Sequence, residues 1–200
     1  MRPIVMCGIP RSGTTLVWQI LQEVFSDHVI YKTHPGAWEP DDSAVVGTIR
    51  SPYDVAASLY RVRLSRGGQD AGNEDDLNTI LNRVGMYFNC MEDIRDGHCV
   101  IRKYEDFYEN NEPIYDAILK MFGIWVAAPE RARINDKFSL SANKERASKL
   151  ANFNEVGDYG IHGDHIGGVV PKSWYRILPD WALVKTAEVC YPIAKRWGYE

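Results

Sequence analysis

Residues 8 to 15 read Gly-Ile-Pro-Arg-Ser-Gly-Thr-Thr. Gly8 and Gly13 hold the spacing of a phosphate-binding loop, and Thr15 stands at its closing hydroxyl position. The lysine of the nucleotide-triphosphatase pattern is missing: Thr14 takes its place, and the only cation of the stretch, Arg11, lies inside the loop. Backbone N–H groups of such a loop, with the positive end of the helix behind it, bind an anion without any side chain. A triphosphatase also needs the lysine and usually a magnesium ion. Where a metal-holding aspartate would follow the apolar run 44–49, the chain offers Arg50; Glu105 and Asp106 are weaker carboxylates for that role. A cationic loop paired with a cationic strand end points to a ligand with two separate anionic ends and no metal.

The elements that must position these residues are legible from periodicity. Residues 3–7 form a short apolar run bounded by turn residues, a buried parallel strand. Behind the loop, Leu16, Val17, Ile20, Leu21, Val24 and Phe25 recur at helical spacing. Residues 28–34, 44–49 and 98–103 read as further strands. At 51–64 a helix opens with Ser51 as N-cap, Pro52 at the first helical position and Asp54 completing a capping-box-like S-x-x-D. Residues 74–94 form a long amphipathic helix, and another runs from 112 towards Gly123, which ends it. A last helix occupies 179–199, where Pro192 marks a kink or a boundary. Strands alternating with helices predict an α/β fold: a parallel β-sheet flanked by helices, a P-loop-like three-layer sandwich. The whole chain, 1–200, reads as a single domain, with the polar, glycine-rich residues 139–172 as a loop or lid. Ligands of such sheets bind at the carboxyl ends of strands. Gly8, His34, Arg50 and Tyr104 each follow directly on a strand, so they gather at one edge.

The net charge of −4 gives no footprint for nucleic acid, and no stretch approaches the ~20 apolar residues that span a membrane. Nothing near the start reads as a signal peptide. The four cysteines form no C-x-x-C pair and suit reduced thiols in a cytoplasmic protein.

In order along the chain stand PRSGTT (10–15), KTH (32–34), IRSPYDVAASLY (49–60) and YED (104–106). This series resembles the sulfotransferases that use 3′-phosphoadenosine 5′-phosphosulfate (PAPS) and release 3′-phosphoadenosine 5′-phosphate (PAP). The likeness is good over residues 3 to about 125 and looser beyond. It implies in-line transfer of a sulfuryl group to a hydroxyl or amine of a small molecule, glycan or peptide. By the same resemblance, the backbone of Ser12, Gly13, Thr14 and Thr15 holds the 5′-phosphate, and Arg50 and Ser58, an R-x₇-S pair, hold the 3′-phosphate. His34 is the implied general base, Lys32 a sulfuryl clamp, and Arg11 the holder of the leaving-group oxygen. Tyr104 matches an adenine contact. Gly168 and Lys172, ahead of Trp174, are a remnant of the family's R-K-G segment, which also grips the 3′-phosphate.

The chain departs from that pattern in several places. Arg11 stands where many cytosolic members carry lysine, and its guanidinium cannot donate a proton at neutral pH. Members acting on protein tyrosines or glycans share the arginine but use glutamate as base, so Glu39, Asp41 and Asp42 follow His34 as candidates. Leu16 replaces an aromatic residue, with Trp18 two residues on. The segment from Arg11 to His34 is shorter than in steroid- and phenol-sulfating members. Trp38 and residues 157–170 are candidates to line an acceptor site, whereas His28, His98, His162 and His165 read as solvated or structural. Two rivals stand beside the sulfotransferase: a magnesium-dependent kinase with a degenerate loop, and a non-catalytic nucleotide-binding module. The oligomeric state is not legible.

Overall fold

A computed structural model describes residues 2–37, 43–67, 71–95, 99–152, 155–163 and 170–200. Four strands, β1 (Ile4–Gly8), β2 (Ile30–Thr33), β3 (Ala44–Ile49) and β4 (Cys99–Lys103), form a sheet in the order β2-β1-β3-β4, with every pairing parallel. The chain leaves β1 for a neighbour on one side and then crosses to the other. A crevice therefore opens at the carboxyl end of β1, the switch point where such sheets bind ligands.

The register decides which residues meet there. Cys7 pairs with Thr33 and Gly8 with Thr48, so Gly8 ends beside His34; Ile49 pairs with Lys103, so Arg50 ends beside Tyr104.

Helices cover both faces, as the alternation predicts. Side chains alternate along β1: Ile4 and Met6 join one core, Val5 and Cys7 the other. The first core is closed by α1 (Thr14–Val24), α5 (Glu112–Phe122) and α6 (Ala128–Lys137), through residues such as Ile20, Ile118 and Ile134. The second is closed by α2 (Pro52–Arg66), α3 (Glu74–Arg95) and α8 (Asp180–Arg196), through Val55, Phe88 and Ile193. A one-turn α4 (Tyr104–Phe107) follows β4 directly.

Three local expectations change. Residues 139–150 are not loop: α7 (Leu140–Ser148) forms there, capped by Ser139, whose hydroxyl accepts the Ala142 N–H at 3.2 Å. Helix α6 also escapes periodicity, because Ile134 is its only buried apolar side chain. Helix α8 continues through Pro192, which is exposed, so that residue is not a boundary. Ser51 does stand at the N-cap of α2, but its side chain makes no capping bond, and Asp54 turns elsewhere. Gly123 ends α5 in the left-handed region, φ 67°, as its place in the sequence predicts.

Candidate active site

The loop between β1 and α1 is shaped by close approach. A Cβ on Gly8 would stand 2.1 Å from Thr48 Oγ1, and one on Gly13 would stand 2.8 Å from the Phe107 ring and 2.9 Å from that of Tyr104. Gly13 has φ 79° and Arg11 φ 72°, so the loop carries one left-handed residue that is not glycine. Ser12 is fully buried: its hydroxyl donates to the Ile9 carbonyl at 2.6 Å and lies 2.7 Å from Thr48 Oγ1, while its amide bonds Ile9 O at 3.2 Å. Ser12 therefore builds the loop from within. The opening amides of α1, from Gly13 onward, have no carbonyl one turn behind them and are the donors left for an anion.

Lys32, on β2, reaches the same helix end. Its Nζ donates to Thr15 Oγ1 at 2.8 Å and lies 5.5 Å from the centre of the Trp18 ring. Burial lowers its pKa to about 8.

His34 follows β2, with Nδ1 2.7 Å from the Gly8 carbonyl oxygen. A carbonyl can only accept, so Nδ1 carries the proton and Nε2 of the neutral ring carries a lone pair. Burial and then the Lys32 charge hold the imidazole below its ordinary pKa of 6.5, partly opposed by the Gly8 bond. In this tautomer the neutral ring presents Nε2 as a lone-pair acceptor.

Across the crevice, the buried Arg50 guanidinium lies 4.6 Å from the Tyr104 ring centre and donates to the Arg11 carbonyl at 3.3 Å. Arg11 Nε donates to Ser58 Oγ at 3.0 Å. Arg11 and Ser58, implied for opposite ends of a nucleotide, thus meet. Burial, followed by the charges of Arg61, Arg50 and Arg66, lowers the Arg11 pKa to about 10. A chain of net charge −4 concentrates four guanidiniums around this loop, a field that an anion would relieve. The cationic cluster and the glycine-lined cradle fit a nucleotide with two phosphate ends.

Tyr104 sits between Arg50 and Gly13, as its place after β4 predicts. Lys172 is exposed and reaches the site through its backbone: its amide donates to Asp54. Gly168, Trp38, Glu39, Asp41, Asp42, His98 and His165 lie outside the described residues. Glu105, weighed above as a metal carboxylate, instead accepts the Ser51 N–H at 2.9 Å and fastens the start of α2 beside Arg50. Asp54 is the residue that sequence reasoning misplaced. It is visible as an acid in a first helical turn, but its hydrogen-bond donors lie 118 to 120 residues away.

No family model matches the sequence, and neither does any curated protein. Solved structures do match. Retinol dehydratase in complex with androsterone and inactive cofactor PAP superposes with a TM-score of 0.72 at 14% identity, over 98% of this chain and 82% of that one. Its complex with retinol and PAP gives 0.73 at 15%, over 98% and 82%. Mouse sulfotransferase SULT7A1 complexed with PAP gives 0.69 at 15%, over 96% and 84%. The protein has the sulfotransferase fold. Among the described residues no helix is long and apolar enough to cross a membrane, and Cys7, Cys90 and Cys190 are free thiols.

Proposed function

We propose that the protein is a PAPS-dependent sulfotransferase that moves a sulfuryl group in line to a hydroxyl or amine, with His34 as general base. The observation that carries this is the His34–Gly8 bond: it fixes a neutral, Nε2-basic imidazole at the head of an anion-binding loop. PAPS supplies the sulfuryl group. The α1 amides of Gly13, Thr14 and Thr15 hold its 5′ end, and Ser12 holds the loop in shape. Arg50 and Ser58, joined by Arg11, hold the 3′-phosphate. Lys32 offers a proton-bearing cation beside Thr15 to oxygens that gain charge. His34 takes the acceptor proton on Nε2. Tyr104 contacts the adenine side, and Gly168 and Lys172 belong to the segment around the 3′-phosphate.

The acceptor belongs to hydroxyl- or amine-bearing small molecules, glycans or peptides; androsterone and retinol in the retinol dehydratase complexes support the small-molecule class. The free thiols suit the cytoplasm.

Thermal unfolding with PAP, against ATP plus magnesium, tests the nucleotide class. PAP at ~100 times its dissociation constant stabilises a folded protein by roughly 2.7 kcal/mol. That shift without metal is the expected result, followed by sulfuryl transfer from PAPS in an acceptor screen. A shift only with ATP and magnesium would replace the sulfotransferase by a kinase.

A further inference from the structure

Asp54 lies in the first turn of α2 and is fully buried. Its Oδ2 accepts the Lys172 N–H at 2.7 Å, and its Oδ1 accepts those of Ser173 and Trp174, each at 3.1 Å. Nη2 of Arg50 lies 3.8 Å from Oδ2. Lys172 takes φ 62°, a left-handed conformation that presents this run of amides to one carboxylate. The segment is fastened further by Ser173 Oγ donating to Val170 O at 2.7 Å and by Trp174 stacked on Tyr53 of α2, ring centres 5.1 Å apart.

Arg50 is thus shared between the nucleotide end of the site and a carboxylate that holds a second segment. A bare carboxylate beside a phosphate would repel it. Three amide donors spread the Asp54 charge and let an anion approach Arg50. When the guanidinium turns part of its charge to that anion, Asp54 leans harder on the amides.

We propose that Asp54 is a positioning residue that couples an anion held at Arg50 to the docking of residues 172–174. Filling the 3′-phosphate end then tightens that segment, and a docked segment in turn raises affinity for the 3′-phosphate. The coupling rests on the sulfotransferase function proposed above, in which the anion at Arg50 is that 3′-phosphate.

Hydrogen exchange of the amides at 172–174 tests it, with saturating PAP or adenosine 5′-monophosphate as probe, in the wild type and in Asp54→Asn. Asparagine keeps the shape but sets an NH₂ against either Arg50 or the amides. Expected in the wild type is at least tenfold slower exchange at 172–174 with PAP and no such effect with the monophosphate. In Asp54→Asn the PAP effect at 172–174 disappears while residues 8–15 stay protected. A merely structural aspartate would speed exchange in the variant yet leave the PAP increment, and that result overturns the coupling. Equal protection of 172–174 by both nucleotides overturns it as well. PAP protecting 8–15 but not 172–174 in the wild type overturns the coupling alone; PAP protecting neither overturns the sulfotransferase function and the coupling together. Should Asp54→Asn not fold, Arg50→Gln reads the same link from the other side: PAP protection persists at 8–15 and vanishes at 172–174, and its survival at 172–174 rejects the link.

Discussion

The His34 imidazole donates its Nδ1 proton to the Gly8 carbonyl at 2.7 Å, so the histidine that follows β2 is locked onto the glycine that opens the β1–α1 loop. One bond sets the tautomer of the imidazole and its distance from the opening of α1. His34→Ala is expected to cut turnover by roughly 10²-fold or more, the usual scale for a positioned acid or base. PAP affinity should hold within about twofold, because the loop amides are untouched. Parallel turnover and PAP titrations check this; undiminished turnover would pass the role to Glu39, Asp41 or Asp42.

With His34 as the base and Lys32 as the charged clamp proposed above, two groups in the free protein would set the pH profile of kcat/KM. His34 would have to be neutral, and burial holds its pKa below the ordinary 6.5, so the acid limb is expected below that pH. Lys32 must be charged, and its pKa is about 8, so activity is lost as pH rises through about 8. The expected profile is a bell with its plateau between them. In Lys32→Arg the side chain stays charged and the alkaline limb should vanish. An alkaline limb unchanged in that variant would show that Lys32 is not its source.

Arg50→Ala should weaken PAP binding by roughly 1.5–3 kcal/mol, the range of a hydrogen bond to a charged group. Adenosine 5′-monophosphate, which lacks the 3′-phosphate, should lose far less. Calorimetric titration of both ligands separates the two; equal losses would mean that Arg50 acts on the fold and not on the 3′ end.

Gly13→Ala places a side chain at φ 79° and pushes its Cβ into the rings of Phe107 and Tyr104. The left-handed backbone alone costs about 1–2 kcal/mol. Urea unfolding should show at least that loss, and PAP should no longer stabilise the variant. A variant that binds PAP normally would show that the loop amides are not the anion site.

Gln19 is fully buried on α1, donates to the Tyr159 carbonyl at 3.0 Å and accepts from Asn143 Nδ2 at 3.0 Å. It ties α1 to α7 and to the turn that ends at Gly160. Gln19→Ala should destabilise by roughly 1–3 kcal/mol, the cost of leaving buried partners unsatisfied. Denaturant titration gives the value, and an unchanged midpoint would contradict the tie.

Much of the site is legible from residue types alone. Gly8, Gly13 and Thr15 mark the loop because close backbone approach and a left-handed turn admit few other residues, and the strand before and helix behind show as clean periodicities. Helices α6 and α7 are not legible because their buried faces are narrow and their sequences mostly polar. The cap proposed for Asp54 is locally sensible, yet a buried carboxylate goes to the richest set of donors, and that set arrives from residues 172–174.

Local patterns already carry the α/β alternation, a glycine loop without the lysine of the nucleotide-triphosphatase pattern, and the gathering of Gly8, His34, Arg50 and Tyr104 at one sheet edge, because each follows from patterns within a few residues of one another. Which groups touch is a matter of packing between distant segments. Arg11 meets Ser58 across 47 positions, His34 meets Gly8 across 26, and Lys172 meets Asp54 across 118. Those meetings depend on strand order, on the parallel register of β1 with β2 and β3, and on which buried polar group finds partners once water is excluded. No local propensity encodes them, since they are properties of the packed sheet and not of any one segment.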